Sequence, residues 1–145
     1  MKIIFDLDGT LADLYGVDDW LPMLRAEDAT PYREANPMVN MSRLARAIHK
    51  AQRNNIQVTV VSWGSMGSSA DYLAETETAK REWLASHLPS VDFDDIAITP
   101  YGVDKSLFAT ADDILFDDND AIRENFIGNA FTPDYIFDII KEICD

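Results

Sequence analysis

Two aspartates near the start of the chain, Asp6 and Asp8, are the residues best placed to do chemistry. They follow an apolar run at residues 3–5, which is typical of a buried strand in a parallel sheet. Side chains alternate along a strand, so both carboxylates would point the same way while Leu7 points back to the core. Two carboxylates aimed at one spot repel each other, and a hard divalent cation with oxygen ligands is the usual remedy. Gly9 would let the backbone turn sharply or approach a ligand closely.

Polar residues also end two further apolar segments. Residues 56–62 are Ile-Gln-Val-Thr-Val-Val-Ser and run into a Gly/Ser-rich turn, and residues 114–118 are Ile-Leu-Phe-Asp-Asp. Backbone N–H groups in a turn between a strand and a helix suit an anion. Strand and helix patterns alternate along the chain, which predicts a parallel sheet with helices on both faces. Ligands bind at the carboxyl ends of such strands, so Ser62, Asp117 and Asp118 would meet the N-terminal aspartates there.

The predicted fold class is therefore α/β, a three-layer Rossmann-like parallel sheet in a single domain of residues 1–145. Apolar runs predict strands at residues 2–6, 56–62, 96–99, 114–119 and 128–131. Helical periodicity and helix-start signals predict helices at residues 40–54, 69–88, 121–126 and 133–143, with about one further helical turn after Lys105 and Ser106.

Residues 11–41 form an insertion between the first strand and its helix. A weak periodicity predicts a short helix near residues 18–27, and the prolines at 22, 31 and 37 are expected to break the rest. Because the insertion leaves directly from the strand end, we expect it to lie over that end as a small lid or pocket wall. A packed surface loop is the alternative.

Composition narrows the possible functions. The chain has a net charge of −14, which argues against a long nucleic acid in a basic groove but not against a small phosphate ester. No apolar run of membrane-spanning length occurs, and the N-terminus does not have the pattern of a signal peptide. The single cysteine, Cys144, cannot form an internal disulfide. These features predict a cytoplasmic protein that has no membrane partner.

Four segments together resemble the signature motifs of the haloacid dehalogenase-like (HAD) superfamily. They are D-L-D-G-T at residues 6–10, the strand that ends in Ser62, the single residue Lys105, and I-L-F-D-D at residues 114–118. The resemblance spans residues 3–119, nearly the whole chain. It implies a HAD-like fold and a phosphatase that needs Mg²⁺ and works through a phospho-aspartate. The short insertion indicates a minimal cap or no cap.

The resemblance also implies roles for the N-terminal aspartates. Asp6 would be the nucleophile and a metal ligand, because a carboxylate can attack phosphorus and form an acyl phosphate. Asp8 would be the general acid for the leaving oxygen and then the base for water, and its backbone carbonyl would ligate the metal. Lys105 would neutralise charge on the nucleophile and the phosphate.

The remaining implied roles concern phosphate and metal binding. Ser62 and the backbone N–H groups of Trp63 and Gly64 would hold phosphoryl oxygens. Asp118 would ligate the metal directly, while Asp117 would ligate it through water or orient the site.

Several acidic and basic residues compete for these roles. Lys80 is the other candidate lysine, but it is predicted to lie mid-helix and far from a strand end, so Lys105 is preferred. Asp112 and Asp113 precede the fourth strand and are expected to be turn residues. Asp120 would either cap a helix or support the metal.

Within the superfamily, the best local match is a group that resembles 5′(3′)-deoxyribonucleotidases. The matching features are K-x-x-W-L at residues 80–84, and Lys105-Ser106 followed by D-I-L-F-D-D at residues 113–118. Residues 11–41 are shorter than the cap of that group. The favoured function is a phosphatase of a small metabolite such as a (deoxy)nucleoside monophosphate. The alternatives are a nearly capless phosphatase of a phosphorylated macromolecule and a catalytically idle binding module.

Overall fold

The computed structural model describes residues 1–145, built around a five-stranded parallel sheet. Numbered along the chain, its strands are β1 (Lys2–Phe5), β4 (Gln57–Trp63), β5 (Asp95–Thr99), β6 (Ile114–Phe116) and β7 (Asn129–Phe131). The strand order is β5-β4-β1-β6-β7, which confirms the predicted α/β class. From β1 the chain continues to β4 and β5 on one side, whereas β6 and β7 lie on the other side of β1. The topological switch point, at which open α/β sheets bind ligands, therefore lies between β1 and β6.

Four helices cover the sheet: α3 (Met41–Arg53), α4 (Ala70–His87), α5 (Asp120–Asn125) and α6 (Ile136–Cys144). The first three begin at polar caps, where the side chains of Asn40, Ser69 and Asn119 each accept a backbone N–H. A 3₁₀ turn at Lys105–Phe108 stands where the sequence predicted one helical turn. None of the helices combines the length and the apolar character needed to cross a membrane.

The two faces of the sheet are covered unequally. Ile3 and Phe5 point into the larger core, which they share with side chains of α3, α4 and α6. Ile4 points to the opposite face, where a smaller core contains Leu115 and Phe126. Leu7 lies in the larger core, as the alternation predicted.

The insertion has its own secondary structure. It contains the antiparallel pair β2 (Ala12–Asp13) and β3 (Asn36–Pro37), a 3₁₀ turn at Leu14–Gly16, and the helices α1 (Trp20–Arg25) and α2 (Thr30–Glu34). The short helix predicted near residues 18–27 is present as α1, although it contains Pro22, and the prediction that prolines break the rest of the insertion is wrong for Pro31. Pro22 and Pro31 lie in the first turns of α1 and α2, where the missing N–H has no helical acceptor to lose.

The insertion packs against α4 from its first turns to its middle. Leu14, Leu24 and Tyr32 share a buried cluster with Tyr72 and Ala79 of that helix. The later part of α4 also faces the main core, through residues such as Trp83 and Leu84, and Trp83 still donates its indole N–H to the carbonyl of Ala35 in the insertion. The first turns of α4 therefore pack on the insertion, and only its later turns cover the sheet.

Candidate active site

Asp6 lies at the switch point, directly after β1, and its carboxylate is held from two sides. The ammonium of Lys105 donates to Asp6 Oδ1 over 2.9 Å, and the hydroxyl of Thr10 donates to Asp6 Oδ2 over 2.9 Å. Thr10 is fully buried and Lys105 nearly so. One charged donor and one neutral donor fix the direction of the carboxylate, which suits a nucleophile.

Lys105 also joins Asp6 to the end of β6. Its ammonium donates to Asp117 Oδ2 over 2.7 Å, and Asp117 Oδ1 accepts the backbone N–H of Asn119 over 3.0 Å. Burial acts to lower the pKa of Lys105, but Asp6 and Asp117 outweigh it, so the pKa lies above its usual value. An ammonium has three N–H groups, and the third of Lys105 has no partner within the protein.

Three carboxylates crowd together here. One oxygen from each of Asp6, Asp117 and Asp118 lies within 4.8 Å of the others. Burial, followed by the charge of Asp6, raises the pKa of Asp118 to about 7. We call these aspartates, with Lys105 and Thr10, the Lys105 cluster.

Gly9 allows Asp118 to approach this closely. It has a φ of +81°, and a Cβ at this position would lie 2.3 Å from Asp118 Oδ2. Any side chain would therefore displace the carboxylate, in addition to the strain of a positive φ. The glycine is needed for the geometry of the acidic cluster as well as for the turn.

A hard divalent cation such as Mg²⁺ fits this donor set. The oxygens of Asp6 and Asp118 converge, and the surplus of negative charge calls for a cation. Asp117 already has both oxygens engaged, by Lys105 and Asn119, so it is better placed to orient the site than to ligate directly. The carboxylate of Asp8 lies outside the cluster, and only its backbone carbonyl is proposed as a ligand.

Lys80 corrects a sequence prediction. It was expected to lie far from every strand end, yet its ammonium contacts the ends of β1 and β4. It donates to Asp8 Oδ2 over 2.8 Å, to Ser62 Oγ over 2.7 Å and to the carbonyl of Trp63 over 2.6 Å. Burial raises the pKa of Asp8, while Lys80 opposes that shift. We call Asp8, Ser62, Lys80 and the Trp63 carbonyl the Lys80 cluster.

The predicted phosphate-binding turn also needs a correction. The backbone N–H of Gly64 donates to the carbonyl of Thr99 over 2.7 Å, because β4 and β5 stay paired as far as Trp63 and Thr99. It is therefore not available to a phosphoryl oxygen. Other backbone N–H groups at this edge have no partner within the protein: those of Leu7, Asp8, Ser65 and Met66. These are the better candidates for holding an anion.

A cavity of about 490 Å³ opens above both clusters. Its floor includes Asp6, Asp8, Ser62, Lys105 and Asp118, and its walls include residues of the insertion. The insertion residues are Leu14, Tyr15, Trp20, Leu21, Leu24, Arg25 and Tyr32. The insertion therefore lies beside the strand ends and lines the same cavity.

Two aromatic pairs stand in this wall. The rings of Tyr15 and Trp20 meet edge to face with centroids 4.9 Å apart, and Trp63 and Tyr101 do the same at 4.9 Å. Arg25 lines the cavity and has no ion-pair partner within the protein. The cavity thus offers aromatic surface and one uncommitted cation beyond its acidic floor.

The competing acidic residues lie outside the site. Asp113 is buried at the opposite end of β6, where it accepts the backbone N–H groups of Lys2 and Thr110. Asp120 is exposed at the start of α5 and pairs with Arg123. Asn119, and not Asp120, caps that helix.

Sequence reasoning missed two residues of the site. Thr10 belongs to the D-L-D-G-T motif, which by itself indicates no role for it, although a threonine four residues after a proposed nucleophile is within reach of it. Lys80 is predicted from the sequence to lie mid-helix and far from a strand end, which is why Lys105 was preferred. The K-x-x-W-L resemblance was the one signal that drew attention to it.

Comparisons with known proteins add a likeness of fold. No protein-family model and no curated protein matches the chain. A structural-genomics target from Vibrio cholerae is similar, with a TM-score of 0.46 and 22% identity, covering 68% of this chain and 69% of that one. The D,D-heptose 1,7-bisphosphate phosphatase from Burkholderia thailandensis has a TM-score of 0.49 and 13% identity, covering 86% of this chain and 70% of that one. Likeness at these identities concerns the fold alone, so the chemistry proposed below rests on this chain's own residues.

Proposed function

We propose that this protein is a Mg²⁺-dependent phosphomonoester hydrolase that forms an aspartyl phosphate on Asp6. The observation that carries the proposal is the pairing of two different environments at one sheet edge. Asp6 lies in a cluster with more carboxylates than cations, while Asp8 lies in a separate cluster in which one ammonium faces one carboxylate. Two carboxylates in opposing environments are typical of a site in which one acts as nucleophile and the other as general acid and base. The resemblance to HAD phosphatases supports the same assignment.

In the first step, a carboxylate oxygen of Asp6 would attack phosphorus while the bond from phosphorus to the leaving oxygen breaks. Asp8 would give its proton to that oxygen, so that an alcohol departs. Lys105 fixes Asp6 and has one N–H left for a phosphoryl oxygen. When bound, Mg²⁺ would neutralise charge on the phosphoryl group.

In the second step, Asp8 would take a proton from water as the oxygen of that water attacks phosphorus. The bond between phosphorus and Asp6 then breaks, which releases inorganic phosphate and restores both carboxyl groups. Ser62 and the unpartnered backbone N–H groups of Ser65 and Met66 would hold phosphoryl oxygens in both steps. Positioning and electrostatics account for most of the barrier reduction in reactions of this type.

The proposed substrate is a small phosphorylated metabolite, with a (deoxy)nucleoside monophosphate favoured. A cavity of about 490 Å³ has the size of a small-molecule site. Its aromatic wall supports a planar leaving group, because the exposed rings of Tyr15 and Tyr101 can contact a base. Residues 11–41 would act as a mini-cap that selects the leaving group.

The proposal is tested by hydrolysis of p-nitrophenyl phosphate with and without metal. We expect activity with Mg²⁺, its loss in EDTA and its return when Mg²⁺ is added back. Full activity in EDTA would contradict the proposed metal dependence. A panel of nucleoside monophosphates, sugar phosphates and phosphopeptides then tests the substrate. A preference for phosphopeptides would overturn the small-metabolite assignment in favour of a macromolecular substrate.

A further inference from the structure

Each N–H group of the Lys80 ammonium has an acceptor, and two of the three acceptors belong to residues of the proposed reaction. The side chain is fully buried. Its three N–H groups meet three oxygens, on Asp8, Ser62 and the carbonyl of Trp63, at 2.6–2.8 Å. A lysine in this state has no donor left for a substrate. Lys105 differs, because it has only two partners and keeps one N–H free.

An ammonium can only donate, so its contacts fix the direction of the hydrogen bonds around it. The hydroxyl of Ser62 accepts from Lys80, which leaves its own proton free to point elsewhere. The Oδ2 atom of Asp8 also accepts from Lys80. A proton on Asp8 therefore belongs on Oδ1, the other oxygen of the carboxyl group. In both residues the acceptor side faces Lys80 and the donor side is turned away from it.

We propose that Lys80 is a positioning residue that orients the donors of Asp8 and Ser62 toward the phosphate ester. The inference rests on the proposed function, since it assigns Lys80 a part in that reaction. Lys80 would act through these two residues and would not touch the substrate.

The insertion holds Lys80 in place. The ring of Tyr32 lies over the ammonium, with 4.8 Å between Nζ and the ring centroid, and the hydroxyl of Tyr32 bonds to Ser65. Ala79, the residue before Lys80, is buried in the cluster shared by the insertion and α4. The insertion thus contributes to the acid–base side of the site as well as to the cavity wall.

A purely structural role makes a different prediction. If Lys80 only offsets the buried charge of Asp8, its loss should destabilise the fold and slow every substrate by a similar factor. A misplaced acid instead slows the hydrolysis of each substrate by an amount that depends on its leaving group. An alkoxide needs a proton from Asp8, whereas p-nitrophenolate leaves readily without one.

The test compares ethyl phosphate with p-nitrophenyl phosphate in Lys80→Met and Lys80→Arg. We expect kcat/KM for ethyl phosphate to fall by at least about tenfold more than kcat/KM for p-nitrophenyl phosphate. Lys105→Met is the matched control, because Lys105 contacts the nucleophile and its loss should slow both substrates alike. Circular dichroism and thermal unfolding verify that each variant is folded.

A double variant tests the same inference even if the single Lys80 variants fold poorly. In Asp8→Asn the acid is absent, so adding Lys80→Met should leave the ratio of kcat/KM for ethyl phosphate to kcat/KM for p-nitrophenyl phosphate unchanged. It also removes a buried cation together with its partner, which avoids an uncompensated charge.

Two results would overturn the inference: equal losses on both substrates in a folded Lys80 variant, or a further fall of the ratio in the Asp8→Asn background. If the wild-type protein hydrolyses neither substrate with Mg²⁺, the proposed function fails, and this inference fails with it.

Discussion

The Lys105 and Lys80 clusters lie at one edge of the sheet and differ in charge. In the Lys105 cluster, one ammonium contacts the carboxylates of Asp6 and Asp117, and Asp118 adds a third carboxylate beside them. In the Lys80 cluster, one ammonium faces one carboxylate, and its remaining donors meet neutral oxygens. The Lys105 cluster therefore has an excess of negative charge that a bound cation would balance, while the charges of the Lys80 cluster are balanced within the protein. The proposed nucleophile and the proposed acid therefore lie in different electrostatic environments, as their two roles require.

Asp6→Asn should have the largest effect on activity. An amide has no charge to attack phosphorus, and the cluster loses part of its attraction for a cation. We expect the rate with p-nitrophenyl phosphate and Mg²⁺ to fall by at least about a thousandfold. Asp112→Asn is the control, because Asp112 is exposed at the opposite end of β6. An active Asp6→Asn protein would place the nucleophile elsewhere.

Asp118→Asn tests the cation in the Lys105 cluster. Loss of this carboxylate should raise the Mg²⁺ concentration needed for half-maximal activity by about tenfold or more, because charge count sets affinity in oxygen-ligand sites. The measurement is a Mg²⁺ titration of the initial rate. Asp120→Asn, two residues along the chain, removes an exposed charge that pairs with Arg123 and should leave the titration unchanged. Identical titrations of the wild type and Asp118→Asn would exclude Asp118 as a ligand.

Gly9→Ala separates backbone strain from contact with Asp118. Its Cβ would strike the Asp118 carboxylate, so we expect both a loss of stability and weaker stabilisation by Mg²⁺ in thermal unfolding. Gly102→Ala is the matched control, since Gly102 has a φ of +89° and nothing within 4 Å of the added Cβ. It should lose about 1–2 kcal/mol of unfolding free energy to strain and retain its response to Mg²⁺. Equal responses to Mg²⁺ in both variants would mean that Gly9 serves only the turn.

Tyr32→Phe should have the smallest effect. It keeps the ring over Lys80 and removes only the hydroxyl that bonds to Ser65. We expect the free energy of unfolding to fall by about 0.5–1.5 kcal/mol, the usual contribution of one hydrogen bond. Chemical denaturation of the variant and the wild type measures this difference. A loss several times larger would show that the insertion and the Lys80 cluster are more tightly coupled than these contacts indicate.

The Lys105 cluster could largely be predicted from the sequence, because parallel strands bring their carboxyl ends to one edge. Asp6, Asp117 and Asp118 follow β1 and β6 directly, so their approach needed only the strand pattern and the topology. Lys105 comes from a 3₁₀ turn, and its selection relied on the family resemblance. The close approach of Asp118 to Gly9 depends on backbone geometry that no residue pattern states.

The Lys80 cluster was only partly predictable, because it depends on where α4 begins. Lys80 follows Ala70 by about 15 Å of helix, which would carry it well away from the strand ends if α4 started at their level. The early turns of α4 instead lie beyond the strand ends, where they pack against the insertion. Lys80 is therefore at the height of the strand ends and contacts Ser62 and Asp8. The position of a helix along its axis is set by tertiary packing. The same limit applies to Gly64, whose N–H is consumed by the pairing of β4 with β5.

The most direct test of the central claim is chemical trapping of the phospho-aspartate on Asp6. Borohydride reduces an acyl phosphate to an alcohol, so a trapped aspartate becomes homoserine, which mass spectrometry of the peptide identifies. With p-nitrophenyl phosphate, whose leaving group needs no proton, Asp8→Asn should accumulate the intermediate because it lacks the base for the hydrolysis step. With substrate and Mg²⁺ present, the account predicts homoserine at residue 6 alone. Sustained hydrolysis with an unmodified Asp6, or trapping at a different aspartate, would contradict it.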